Sequence, residues 1–375
     1  MKKAAYYKFE FVLVLIFVLM FSGNSASNAL RNLISIEQVG DDIKAHVTQS
    51  GPNNFADLDQ VGIDTGTTIE QVGTGNFIEL DQVMAGLGNR AEITQKGIGN
   101  RVDSFNQNNS FTNLAQINQI GDENIINEFN QSGFNNVANI AQTGLGNLAE
   151  VFDQSGSKNI ANITQINETG KSHGNEIGEF RQSGEHNVAN IRQSGSDNEI
   201  ERFTQSGSYN EASITQVGTG NEIETFIQTG NENRANIDQI GDENTIIQAI
   251  QDGNFNYASL RQGTDAAPCR DCDISLEQRG QSNFTNVLQT GDEQSATIVQ
   301  KGSGNKVVNP VDNVSAGIIQ AGMGNEASVQ QFGSSNQAFI SQQGAGNTAD
   351  VLQNGAGNIA QITQLGDLNK ADINQ

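Results

Sequence analysis

A chain of 375 residues with a formal net charge of −23 is a poor partner for nucleic acid, because phosphate would be repelled rather than neutralised. It has 41 Gly, three Pro and no Trp, with abundant Asn and Gln, a composition that would also suit disorder. The periodicity of the chain excludes that reading.

Residues 1–29 read as a secretory signal peptide: Lys2, Lys3 and Lys8, an apolar run from Phe11 to Phe21, then small polar residues from Ser22 to Ala29. The run falls well short of the roughly 20 apolar residues that a membrane-spanning helix needs. Cleavage is expected after Ala29, with Ala26 as the alternative site. A retained N-terminal anchor is the competing reading, since Glu10 just before the apolar run is atypical. Loss of three Lys and one Glu with residues 1–29 takes the net charge from −23 to −25.

From residue 30 onward the chain is one array of half-repeats, each closing on Gln, from Gln38 to Gln375. The first kind reads N-x-A-x-I-x-Q, as in Asn136, Ala138, Ile140, Gln142 and in Asn233, Ala235, Ile237, Gln239. The marked residues are two apart, so in an extended strand they share a face; helical spacing is absent. Gly follows the Gln, often as G-x-G-N, as in Gly144, Gly146, Asn147, and supplies the positive φ of a tight arc. The second kind is one residue longer and carries Phe two places before Gln: Phe105, Phe129, Phe152, Phe180, Phe203 and Phe226, with Ala249 and Leu276 as weaker members. The extra residue predicts a β-bulge.

The fold expected is therefore an all-β solenoid with two strands per rung of 22–23 residues and about 14 rungs. A Phe column should line one wall, and Ala and Ile the other. Asn and Gln ladders, among them Asn136, Gln142, Asn147, Gln154, Asn187, Gln193, Asn233 and Gln239, should bond from rung to rung. The repeats start at Asn32 and the last closes on Gln375, so the rod is expected to have uncapped ends open to another copy. Three longer gaps, Gln165 to Gln182, Gln262 to Gln278 and Gln300 to Gln320, are expected to loop out of the arcs; Pro268 and Pro310 fall in the last two.

The motif Q-x-G-x-G-N-x-A with a second Gln, with G-x-G-N ending at Asn76, Asn89, Asn100, Asn147, Asn221, Asn305, Asn325, Asn347 and Asn358, resembles the curlin repeat of bacterial curli fibres. The resemblance covers residues 32–375. It implies a secreted subunit that self-assembles into extracellular functional amyloid for surface adhesion and biofilm matrix. The implied partners are further copies of the chain, head to tail, a nucleating curlin-like subunit and an outer-membrane export pore. Two features depart from that pattern: no Gly-rich segment follows the signal peptide, and the array is far longer than the familiar five repeats.

Cys269 and Cys272 form C-x-x-C. A local disulfide suits an oxidising compartment; free or intermolecular thiols and a metal site are the other readings. A metal site would want a second such pair or a nearby His, and His46, His173 and His186 are scattered. Although β-helices host polysaccharide-cleaving enzymes, acidic residues such as Asp242 and Glu243 fall on outward or turn positions without an acid, base and His cluster. Turn carboxylates such as Asp122 and Glu123 lack the calcium-binding nonapeptide. No catalytic activity, cofactor or nucleic acid is expected. The alternative function is a monomeric or cell-attached adhesin that binds a partner or cations through an acidic wall.

Overall fold

The computed structural model describes residues 31–82, 87–108, 110–167, 173–309 and 315–375. The signal-peptide reading of residues 1–29 and the loop position of Pro310 lie outside the described residues. Among the described residues every regular element is a β-strand.

Alternation alone builds these strands. In Arg234–Asp242, Ala235, Ile237 and Gln239 are buried while Arg234, Asn236 and Asp238 face outward, as a two-residue period demands. Such a strand buries too little to stand alone, so each stacks in parallel on its counterpart one rung away. Ala212 pairs with Ala235, Ile214 with Ile237 and Gln216 with Gln239, and the same register continues to Ala258, Leu260 and Gln262. The chain thus winds a solenoid of about 14 turns, with one sheet of 15 strands from Leu33–Asp41 to Lys370–Asn374. The facing sheet has 16 strands, beginning at Lys44–Ser50.

The first sheet changes phase in its middle. In Phe55–Ile63 the buried residues Ala56, Leu58 and Gln60 are two apart. From Arg101–Asn106 the early apolar residue and the Phe are three apart, as in Val102 and Phe105 or Ile223 and Phe226. Two successive residues, such as Asn127 and Glu128, then face outward. Pairing slips once on entering this block, between Ile78 and Leu80, and once on leaving it, between Ile246 and Gln248. Within it bulge stacks on bulge and no slip occurs. Phe105, Phe129, Phe152 and Phe180 stack with centroids 4.5, 4.7 and 5.0 Å apart; Phe180 and Phe203 are tilted at 5.0 Å; Phe203 and Phe226 stack at 4.8 Å. Each buried ring contributes roughly 1.5–3 kcal/mol.

Leu276 corrects one expectation. It continues the column, paired with Ala249, but its strand is unbulged, since Ile274, Leu276 and Gln278 are two apart and all buried. The long interval before Gln278 comes from the insertion after Gln262. A second correction concerns the third gap. The insertion there interrupts a strand rather than an arc: Lys306–Val307 pairs with Phe284 and Thr285, and Ile318–Met323 with Val287 to Asp292 of the same neighbour.

The arcs explain the two glycines of G-x-G-N separately. Gly218 has φ 128°, and a Cβ there would meet the Gly241 carbonyl oxygen of the next rung at 1.8 Å. Gly220 has φ 68°, and a Cβ there would meet only Glu243 Cγ, at an ordinary contact distance of 3.7 Å. Equivalent positions hold Glu243, Glu232 and Tyr209 at φ 55–58°. The first glycine is therefore set by the approach of the next rung, the second only by a left-handed conformation that other residues reach at modest cost. Gly218→Ala is expected to destabilise the rod by several kcal/mol, and Gly220→Asn to change it by less than about 1 kcal/mol. Thermal unfolding together with hydrogen exchange in the flanking rungs would check the pair.

Candidate functional site

The chemistry of this molecule is concentrated in its stacked amides. On the first sheet every ladder Gln donates Nε2–H to the Oε1 of the next, without a break from Gln38 to Gln375, at 2.7–3.1 Å. Gln154, for example, donates to Gln182 at 2.8 Å. On the second sheet Gln142, Gln165, Gln193, Gln216 and Gln239 form the same chain, with spacings of 2.8–2.9 Å. The second Nε2–H turns inward: Gln193 donates to the backbone carbonyls of Glu176 (2.9 Å) and Asn198 (3.1 Å). Carbonyls can only accept, so this bond fixes which end of the amide is nitrogen and hence the direction of the whole ladder. It also ties each strand of one sheet to the start of a strand of the other.

The Asn ladders run the opposite way. Asn147 donates Nδ2–H to Asn124 Oδ1 at 2.8 Å. The backbone N–H of Asn136 donates to Asn113 Oδ1 at 2.8 Å. Asn187 donates both N–H and Nδ2–H to Asn159 Oδ1, and Asn233 does the same to Asn210 Oδ1, at 2.9–3.1 Å. The upper face of a rung thus presents Gln donors and Asn acceptors, and the lower face Gln acceptors and Asn donors.

Cys269 and Cys272 are joined by a disulfide and are both buried. Their segment occupies an arc: Cys269 pairs with Gly241 below and Gly291 above, Asp271 has the left-handed φ of 51°, and Cys272 stands where other arcs place Asn. Cys272 N–H donates to Asn244 Oδ1 at 3.3 Å and its carbonyl accepts from Thr245 at 2.8 Å. The covalent link replaces the amide that elsewhere holds the arc closed. The neighbouring Gln ladder is interrupted here: Gln262 donates to the Cys272 carbonyl, and Gln289 Oε1 is buried without a partner.

Two further ladder residues escaped the sequence reading. Thr67 and Thr285 occupy the Ala position of the second sheet and are buried. Thr67 accepts from Gln60 at 2.8 Å and donates to Gln82 at 3.1 Å; Thr285 links Gln278 and Gln300 in the same way at 3.2 and 2.8 Å. A Thr in place of Ala in an otherwise regular half-repeat was the available signal.

Charge is divided between the walls. Strands of the first sheet carry 23 Asp and Glu against 6 Lys and Arg, those of the second 7 against 8. Glu176, Glu199 and Glu222 lie in register on successive rungs. Burial first, and the carboxylates of their neighbours second, push all three above the usual glutamate range. The same causes raise Asp59, Asp81 and Asp273. Glu92 is lowered, chiefly by the Gln116 amide and also by Arg90. Among the described residues no three His, Cys, Asp or Glu side chains converge on a common point; His186 stacks on Tyr209 at 4.7 Å.

The curlin associated repeat is matched over residues 31–62, 65–97, 280–308, 312–344 and 344–375. The chain carries five curlin associated repeats. These stretches lie outside the bulged block of the first sheet, where rungs of 23 residues depart from the plain 22-residue period. Curlin repeats are structural rather than enzymatic. No curated protein matches the chain.

The amide ladder and the disulfide arc give separate outcomes. Gln216→Ala leaves Gln193 without its acceptor and Gln239 without its donor in a dry site, and is expected to cost about 2–5 kcal/mol. Cys272→Ala is expected to loosen the arc, whereas the double change Cys269→Gly, Cys272→Asn should restore the standard arc and most of the stability. Chemical denaturation of the four proteins, with hydrogen exchange at Asn244 and Asp273, would measure both effects.

Proposed function

We propose that this curlin-repeat chain is a secreted structural subunit that polymerises head to tail into extracellular, curli-like amyloid fibres serving surface adhesion and biofilm matrix. The observation that carries this reading is the opposed polarity of the Gln and Asn ladders. Any upper face complements any lower face, while two like faces would set acceptor against acceptor. Contact between unlike faces is heterologous and does not close on itself, which is the condition for a filament. Parallel, in-register strands on both sheets supply the cross-β arrangement that such a filament would extend. A nucleating curlin-like subunit and an outer-membrane pore belong to the same proposal, carried by the repeat family.

The direct test is negative-stain microscopy and fibre diffraction of the purified chain lacking residues 1–29. Filaments that lengthen on seeding and diffract near 4.8 Å along their axis are expected. Discrete rods of one length that never elongate would contradict the reading and favour the adhesin.

Charge sets a pH dependence. Raised carboxyls contribute stability that is fully present below their ordinary values of 3.8 and 4.5 and is lost as pH rises through the raised values. Glu92 acts in the opposite sense, but six raised groups outnumber it. Stability and elongation rate should therefore both increase from pH 7 toward pH 4.5, read by thermal unfolding and by the lag time of seeded growth. Calcium at neutral pH should shorten the lag in the same direction.

A further inference from the structure

We propose that two copies of this chain pair side by side, second sheet against second sheet. Over the eleven uninterrupted strands from Lys44–Ser50 to Phe284–Asp292, leaving aside the arc segment Cys269–Arg270, the second sheet carries 7 acidic and 6 basic residues. The eleven strands of the first sheet opposite them carry 20 acidic and 4 basic. Two second-sheet faces therefore meet at net charges of −1 each, two first-sheet faces at −16 each. Separations in a face-to-face contact fall within the Debye length of about 8 Å at physiological salt, so the acidic faces repel and the neutral ones do not.

The chemistry of the neutral face suits burial. Its Asn139, Asn162 and Asn190 bond to one another at 2.8 Å along the surface, so their amides are partly satisfied before any contact. Gln116 and Arg90 engage Glu92, and Lys96 engages Glu70. The outward position after the ladder Gln is apolar at Val72, Ile120 and Val217, with 37, 41 and 36% exposure, and Ser at Ser50 and Ser194; on the first sheet it is Val at Val39 and Val61 and Ser at Ser132, Ser155, Ser183 and Ser206.

Size is sufficient as well. Eleven strands at about 4.8 Å and a face about 20 Å wide give on the order of 1,000 Å² per copy. A stable interface needs about 800 Å² per partner. Beyond Asp292 the insertion between Val307 and Ile318 interrupts the strand, which bounds the contact on that side. A second copy related by a two-fold axis matches this face with itself. Rung ends remain free, so lateral pairing and axial growth are compatible.

The test adds three carboxylates to each wall in turn, in matched surroundings: on each wall two lie in register with an existing acid, Thr94 with Glu70 and Thr215 with Asp238, Asn106 with Asp81 and Val299 with Glu277, and one with an arginine, Thr164 with Arg192 and Thr204 with Arg181. Thr94→Glu, Thr164→Glu, Thr215→Glu charges the second sheet; Asn106→Glu, Thr204→Glu, Val299→Glu charges the first. Sedimentation of freshly purified, unpolymerised chain should give dimers for the parent and the first-sheet variant and monomers for the second-sheet variant. In filaments, the parent and first-sheet variant should be two rods wide and the second-sheet variant one rod wide with unchanged elongation rate. Monomeric parent chain forming single-width filaments would overturn the proposal, as would equal loss of pairing in both variants. Dimers in the absence of any filament would uphold it while refuting the fibre reading on which only the filament arm rests.

Discussion

A primary amide that leaves water must find partners, and an unpaired one costs about 1–3 kcal/mol. This chain buries such an amide at the end of nearly every strand, in a core otherwise made of apolar side chains. The cost is met only if the same amide occupies the same place one rung above and below. That condition fixes parallel stacking, fixes register, and makes a rung of 22 or 23 residues the smallest unit that can be repeated. It also gives each rung two different faces, which is where architecture passes into assembly.

The Phe block shows how far the rule can be stretched. A bulge disturbs pairing only where it begins and ends, at Ile78/Leu80 and Ile246/Gln248; between those points bulged strands stack on each other while the Gln ladder runs through unchanged. The disulfide arc is the complementary case. Where Asn is missing at Cys272 a covalent bond takes its place, and the defect is confined to one orphaned oxygen on Gln289. Irregularities are thus absorbed locally because each rung contacts only its neighbours.

Much of this was legible in the sequence. Spacing of two between Asn, Ala, Ile and Gln leaves no choice of face, and the repetition of Gln leaves little choice of register. The Phe phase shift could be read because nothing else intervenes between Ile223 and Gln228. Leu276 was misread because an insertion and a bulge lengthen the interval between two Gln residues in the same way. The third insertion was misplaced because a repeat count does not say where within a half-repeat an interruption falls. Thr67 and Thr285 look like tolerated variants of Ala until the opposite sheet brings Gln60 and Gln278 within reach of their hydroxyls. Segregation of charge was hidden by reading acids along the chain: alternation distinguishes inward from outward, but only the assignment of alternate half-repeats to two sheets shows that one wall holds most of the carboxylates.

Parallel register in this rod depends on closed ladders. Side-chain amide hydrogen exchange, followed by NMR on selectively labelled Gln, addresses this without reference to assembly. Ladder residues Gln193, Gln216 and Gln239 should keep their Nε2 protons about as long as the backbone amides of their own strands. Exchange at the rate of solvent-exposed side-chain amides would mean that the ladders are open and that register is set by something else.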